Sequence, residues 1–313
     1  MATHTVRIVI PTYNRAHLIE RALDAALRQT HPDVEVLVVD DHGHDDTWRI
    51  LSRYESHPRF GAIRLSENGG TAAAKNAGIF GPSWDAITFH DSDDVPHIDK
   101  VLRQARAMNG CALHHDGTQN WDNFDVEFDE TVPVSLVVGS HDLVLLDGTT
   151  KRMGASLSLL DDFFPNVRGS YRGPNDWSLV NAGLFHRRVF HELGGFLDSI
   201  EEDRELRNRI IASGMVVRHL GDQPLLTKYE EPDSLTVAAG TNLRSASRMR
   251  DREHVWQRLH AYQGGMTGPA VGDAHRVPVD PPEVESCLGW ARGVDQYALS
   301  TPIEPDLLAM PAE

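Results

Sequence analysis

The sequence predicts an α/β protein with a mainly parallel central sheet flanked by helices. Two observations predict it. Through residue 108, short apolar runs alternate with segments whose apolar residues recur at helical spacing. Those runs, such as Ile8-Val9-Ile10 and Val36-Leu37-Val38-Val39, are strand-sized and end in loop residues, as expected of buried strands.

In order, Val6–Ile10 reads as a first strand ended by Pro11. Leu18, Ile19, Ala22, Leu23, Ala26 and Leu27 mark a helix, with Asn14 as its N-cap and Pro32 as its stop. Val34–Val39 is a second strand, and Trp48, Leu51 and Tyr54 mark a second helix face. Ala62–Leu65, helix Thr71–Ile79, strand Ala86–Phe89 and helix Ile98–Met108 complete the alternation. The rhythm then breaks. Residues 114–130 read as a polar loop, and Val134–Val138 and Leu143–Leu146 as two strands joined by a turn at Gly139-Ser140. Strand Ser178–Phe185, helices Arg188–Leu193 and Asp203–Ile211, and strands Met215–Leu220 and Leu225–Tyr229 follow. Leu243–Tyr262 reads as a charged helix, and the Gly-, Pro- and acid-rich chain from Gly264 onward as a loosely attached tail.

The 313 residues suffice for one large domain with an appendage. A net charge of −16 argues against nucleic acid as the main partner, because backbone phosphates require a basic face. No apolar run approaches the roughly 20 residues of a membrane helix, and the first ten residues lack a signal-peptide pattern. Two cysteines, Cys111 and Cys287, make no disulfide framework and suit reduced thiols in a cytoplasmic protein.

In an open parallel sheet, ligands bind beyond the carboxyl ends of the strands, so the residues there are the informative ones. They are Pro11-Thr12-Tyr13-Asn14-Arg15, then Asp40 and Asp41, then Asn68, Gly69 and Gly70 leading to Lys75 and Asn76, and finally Asp91-Ser92-Asp93-Asp94. The last run is the sharpest signal, because Mg²⁺ and Mn²⁺ take oxygen ligands, usually one or two carboxylates plus phosphate oxygens. A cation held there would also reconcile an acidic protein with an anionic ligand. Asp40 and Asp41 either receive a base or ribose or cap the turn from Gly43 to Asp46. Tyr13 either stacks on a base or packs on the sheet. Lys75 either faces an anion near the start of a helix or is solvated.

These segments resemble family 2 glycosyltransferases of the GT-A fold. The likeness runs from Ile8 through Arg15, Val38 through Asp41, Asn68 to Gly78 and Asp91 to Asp94, and on to Asn181-Ala182-Gly183, Gly194-Gly195-Phe196 and Glu202-Asp203. It spans residues 6 to about 236 in the family's order. It implies a domain over 1–239, with a nucleotide-binding half to about 109 and an acceptor-side half from about 110, followed by a helix and tail over 240–313. It implies that Pro11, Thr12, Tyr13, Asn14, Arg15, Asp40 and Asp41 hold the nucleotide of a sugar donor, a UDP-sugar first among candidates. Asn68, Gly70, Lys75, Asp91 and Ser92 join that site, with Lys75 bordering the diphosphate or donor sugar. Asp93 and Asp91 are implied as ligands of Mn²⁺ or Mg²⁺. Asp203 inherits the role of catalytic base in an inverting transfer, and Glu201 and Glu202 compete for the same assignment.

Two departures stand out. Asp41-His42-Gly43 replaces an Asp-Gly-Ser pattern, and Glu231 stands where the family carries a histidine, as a candidate third metal ligand. His219, the nearest histidine, reads as structural. The acceptor is a hydroxyl compound of unspecified identity, with a natural-product or cell-surface glycan intermediate as the class suggested. Trp121, Asn123, His114 and His115 either line its site or anchor their own loop. The competing readings are a sugar nucleotidyltransferase, a dinucleotide oxidoreductase and a non-catalytic binding module. The first two are disfavoured because Pro11–Arg15 contains no glycine.

Overall fold

The computed structural model describes residues 4–81, 84–108, 134–153, 180–213, 215–220, 223–232, 234–235, 237–242, 244–264 and 276–293. Twelve strands and seven α-helices are described. The strands are β1 (Val6–Thr12), β2 (Val34–Asp40), β3 (Phe60–Leu65), β4 (Ala86–Phe89), β5 (Val95–Pro96), β6 (Val134–Val138), β7 (His141–Val144), β8 (Thr150–Met153), β9 (Leu184–His186), β10 (Val216–His219), β11 (Leu226–Tyr229) and β12 (Val284–Gly289). The helices are α1 (Ile19–Leu27), α2 (Thr47–Leu51), α3 (Gly70–Ile79), α4 (Lys100–Met108), α5 (Arg187–Leu193), α6 (Glu202–Ala212) and α7 (Ala246–Gly264).

Eight strands form one sheet in the order β10-β6-β9-β4-β1-β2-β3-β12, and four form a second in the order β5-β11-β7-β8. The β4-β1-β2-β3 centre of the large sheet is parallel, while β9 and β12 run antiparallel to their neighbours. Alternation along the strands feeds two cores. Val6, Ile8, Ile10, Val36 and Val38 pack with α1 and α4 on one face. Val9, Leu37 and Val39 pack with α3, α5 and α6 on the other. With both faces covered, the strands read as unbroken apolar runs. Helix α3 lies close on β1, since a Cβ at Gly78 would stand 2.5 Å from Val9 Cγ1.

Three expectations need correction. Asn14 does not cap α1. The N-cap position is Leu18, without a side-chain cap, and Asn14 adopts φ 52°. The strands either side of Gly139-Ser140 belong to different sheets, so that segment is a crossing between layers rather than a hairpin.

The chain beyond Gly264 is not loose where it is described. β12 closes the edge of the large sheet against β3, and Trp290 lies on Gly61, where a Cβ would meet its ring at 2.6 Å. Trp290 Nε1 also donates to Arg59 O at 3.1 Å, and the Arg7 guanidinium lies 5.6 Å from its ring centroid. An acidic, proline-rich composition concealed one aromatic anchor and one short strand. The expectations for Cys111, His114, His115, Trp121 and Asn123 lie outside the described residues.

Candidate active site

The site is built where β4 ends. After Phe89 the chain turns through Asp91–Asp94, with Asp94 N donating to Asp91 O at 3.1 Å. Val95–Pro96 then pairs antiparallel with β11, which also pairs with β7, and this fixes Lys228 against the turn. Carboxylate oxygens of Asp91, Asp93 and Asp94 lie within 4.8 Å of one another. Lys228 Nζ is 3.0 Å from Asp91 Oδ2 and 3.6 Å from Asp94 Oδ2.

Burial works against ionisation of all three acids, and their neighbours decide the outcome. For Asp91, Lys228, Lys75 and Arg15 outweigh burial and hold the carboxyl below its usual range. For Asp93, burial and the nearby Asp91 prevail over Lys228 and push it up. Asp94 is pushed well up by burial, with Asp91 and Asp93 adding to the effect. Lys228 is buried too, but the three acids hold its proton more firmly than usual.

The residues fit a hard divalent cation. The donor set is oxygen only, and Asp94 Oδ1 is buried with no hydrogen-bond partner. Ser92 is buried within the same turn. Glu231 pairs with Arg21 at 3.6 Å beside the turn, while the close group of carboxylates consists of Asp91, Asp93 and Asp94. Arg21 also donates to Asp93 O at 2.7 Å and lies 4.2 Å from the Tyr229 ring centroid.

The ends of β1 and β2 form a second cluster. Asp40 Oδ1 accepts from Gly43 N at 2.9 Å, while its buried Oδ2 has no hydrogen-bond partner. Asp41 accepts from Gly69 N and Gly70 N, both at 2.8 Å, and so caps α3 rather than the Gly43–Asp46 turn. Asn68 Nδ2 donates to Asp41 O at 3.3 Å. Gly70 has φ 82°, a left-handed conformation that favours glycine. Burial pushes both Asp40 and Asp41 up from the usual carboxylate range, against the N–H groups they accept. Asn14 Oδ1 accepts from His44 N at 2.7 Å and Asp45 N at 3.3 Å, tying the Pro11–Arg15 loop to the loop after β2. Arg15 N donates to Thr47 Oγ1 at 3.2 Å. Thr12 is buried, and Tyr13, beside it, is 42% exposed.

The third part comes from α3 and α6. Lys75 is fully buried, with Nζ 2.6 Å from Glu202 Oε1 and 5.3 Å from the Phe196 ring centroid. Burial alone would lower its pKa, but Glu202, Asp91 and Asp203 together raise it. Lys75 thus links the metal-type cluster electrostatically to the acids at the start of α6. Asn76 fastens the same region, donating to Phe196 O at 2.9 Å and accepting from Phe196 N at 2.7 Å.

The three consecutive acids are sorted by their partners. Glu201 pairs with Arg204, with Arg248 at 3.1 Å and with Arg252 at 3.3 Å. Glu202 belongs to Lys75; burial raises its pKa, with Lys75 opposing and Asp203 adding. Asp203 is half-buried and in no ion pair among the described residues, and its Oδ1 accepts from Arg204 N at 2.7 Å. The sequence reading placed Asp94 in the acidic run at the strand end but did not identify Lys228, Arg21 or Arg248. The available signal was a lysine inside the short β11 strand, Leu226–Tyr229.

With this geometry in view, comparison with known proteins shows what the chain is similar to. Residues 7–130 match the glycosyl transferase family 2 description. A Rickettsia conorii protein described as an uncharacterized glycosyltransferase, RC0461, is 34% identical over 206 residues, covering 63% of this chain and 29% of that one. The succinoglycan biosynthesis protein ExoO of Rhizobium meliloti is 31% identical over 154 residues, covering 49% and 38%. The matched segments span less than half the length of these relatives. The first 349 residues of S. aureus TarS, solved with UDP-GlcNAc, superpose with TM-score 0.54 at 16% identity, covering 84% of this chain and 73% of that one. Residues 7–130 are thus similar to glycosyl transferase family 2, and the fold is GT-A. No described helix is long and apolar enough to cross a membrane.

Proposed function

We propose that the chain transfers a sugar from a nucleoside-diphosphate sugar to an acceptor hydroxyl, with inversion at the anomeric carbon. The observation that carries this reading is the buried ion pair of Lys75 with Glu202 at 2.6 Å, together with the raised Lys75 pKa, to which Glu202, Asp91 and Asp203 all contribute. In this reading carboxylates that are distant in sequence serve one site, as a reaction between a donor and an acceptor requires.

In this reading Asp203 accepts the proton of the acceptor hydroxyl as its oxygen attacks the anomeric carbon. The bond from that carbon to the diphosphate oxygen breaks, and a nucleoside diphosphate leaves. General-base assistance of this kind typically contributes about 10²–10⁴-fold. Asp203 suits the role because Glu201 and Glu202 are already committed to arginines and to Lys75. Asp91, Asp93 and Asp94 would hold a divalent cation, which when bound supplies positive charge to the diphosphate oxygens. The loop joined by Asn14, together with Tyr13, Arg15, Asp40 and Asp41, would receive the nucleoside. Lys75 is proposed to act on the site through Glu202. A UDP-sugar is the first donor to test, since S. aureus TarS was solved with UDP-GlcNAc.

The test is a thermal-shift screen of UDP-, GDP- and dTDP-sugars with Mn²⁺, followed by transfer assays on an acceptor panel. Asp203→Asn should reduce transfer at least 100-fold while keeping nucleotide affinity; wild-type turnover in that variant would remove Asp203 from the reaction. Asp93→Ala should abolish the Mn²⁺-dependent part of nucleotide binding.

A further inference from the structure

We infer that Lys228 is a tethered counter-cation of the donor site, competing with a divalent metal for Asp91 and Asp94 until a nucleotide diphosphate arrives. The inference rests on the reading of this cluster as the donor site. Its observation is separate: an ammonium group already sits among the three carboxylates. Lys228 is anchored by strand pairing, with its neighbour Thr227 opposite Val95 and Lys228 itself opposite Leu143. Its Nζ stands 3.0 Å from Asp91 Oδ2 and 3.6 Å from Asp94 Oδ2, and its side chain is 14% exposed.

The other cations nearby are differently engaged. Arg21 addresses the main-chain oxygen of Asp93 and the Glu231 carboxylate, and Lys75 is bound to Glu202. Arg15 also favours ionised Asp91 and Asp93, but its effect ranks below that of Lys228 at both acids, and Lys228 Nζ stands in direct ion pairs with Asp91 and Asp94. A metal entering alone would meet an ammonium within reach of the same oxygens, and like charges so close repel. A diphosphate changes the balance. It brings oxygens of the same acceptor chemistry, and a lysine on a flexible four-carbon stem can move from Asp91 to them. Asp91 and Asp94 are then released to the metal. Metal and nucleotide each favour the other, a coupling that linkage makes reciprocal.

The experiment titrates Mn²⁺ alone, UDP alone and the two together into the full chain by calorimetry, with free Mn²⁺ followed by electron paramagnetic resonance. In the wild type, Mn²⁺ alone should bind weakly and UDP should tighten it. Lys228→Met should bind Mn²⁺ alone at least tenfold more tightly than the wild type, and UDP should enhance it much less. Lys228→Gln repeats the test with a polar side chain, and Lys228→Arg, which keeps the charge, should retain weak binding. A lesion of folding would loosen Mn²⁺, so a gain in affinity is a readout that damage does not imitate. Unchanged or weaker Mn²⁺ binding in both neutral variants overturns the inference. Absence of UDP binding to the wild type, with or without Mn²⁺, would instead refute the donor reading, and the Mn²⁺ titrations would still report on Lys228.

Discussion

Replacing Lys75 by Met removes the cation that faces Glu202 inside the protein. The ammonium is fully buried and the Glu202 side chain is 7% exposed, at a separation of 2.6 Å. At an effective dielectric constant of about 20, two unit charges at that distance attract by about 6 kcal/mol. Desolvation of both groups offsets much of this. Deleting one partner leaves the other buried and unpaired, which typically costs about 3–5 kcal/mol.

Lys75→Met should therefore lower unfolding free energy by about 3–5 kcal/mol, and Glu202→Gln by a similar amount. The double variant should cost no more than either single variant alone, which corresponds to a coupling energy of at least about 3 kcal/mol by urea denaturation at neutral pH. Calorimetry with UDP and Mn²⁺ on the double variant then separates positioning from direct contact. If Lys75 acts through Glu202, UDP affinity should stay within about threefold of wild type while transfer falls. Additive single-variant effects would refute the pairing. Loss of UDP affinity with stability no lower than in either single variant would return Lys75 to the diphosphate.

Three further outcomes follow from other parts of the structure. Arg248 joins Glu201 at 3.1 Å to the carbonyls of Thr241 at 2.7 Å and Leu235 at 3.1 Å. Arg248→Met should cost about 2–3 kcal/mol and lower kcat more than it raises the KM for donor, read by urea denaturation and steady-state kinetics. Trp290→Ala should cost about 2–4 kcal/mol by releasing β12 from the sheet edge, with increased hydrogen exchange across residues 284–289. His141 is buried and its pKa lowered to about 4, chiefly by burial and further by Lys228. The unfolded chain takes up this proton from about pH 6.5, while the folded chain resists it, so stability is intact above that pH and is lost as pH falls toward 4. At pH 5 the loss is about 2 kcal/mol, checked by comparing the wild type with His141→Phe at pH 7 and pH 5.

The central sheet was legible because its strands are buried on both faces, so apolar runs such as Val36–Val39 report burial directly. A local cue misleads where the residue that carries it serves a distant partner. Asn14 looks like a helix cap, but its oxygen is taken by His44 and Asp45 after the next strand. The segment after Gly264 looks unstructured because little in its composition signals order. Yet Gly194, at φ 73°, admits the Val277 backbone and Gly195 the Val279 side chain: Gly195 N donates to Val277 O at 3.1 Å, and Val277 N to Leu193 O at 2.9 Å. The glycine pair was visible as a motif, but its partner was not.

The acids of the candidate site and two of its cations, Arg15 and Lys75, were legible, but Lys228, Arg21 and the partner of Lys75 were not, for one physical reason. Carboxylates at strand ends lie on short side chains fixed by the turn that carries them, so sequence position approximates spatial position. Lysine and arginine reach further, and their destinations depend on tertiary packing. Lys228 reaches back to a turn 137 residues earlier in the chain, and Lys75 reaches forward 127 residues to Glu202. Glu201, Glu202 and Asp203 show the consequence. As neighbours at a helix start, nothing in their spacing distinguishes a base from a structural acid. They are distinguished by the cations the fold sends to them: Arg204, Arg248 and Arg252 to Glu201, Lys75 to Glu202, and no ion-pair partner among the described residues to Asp203. Asp203, in no ion pair among the described residues beside two acids that are paired, is on that ground the acid proposed to take a proton from a ligand.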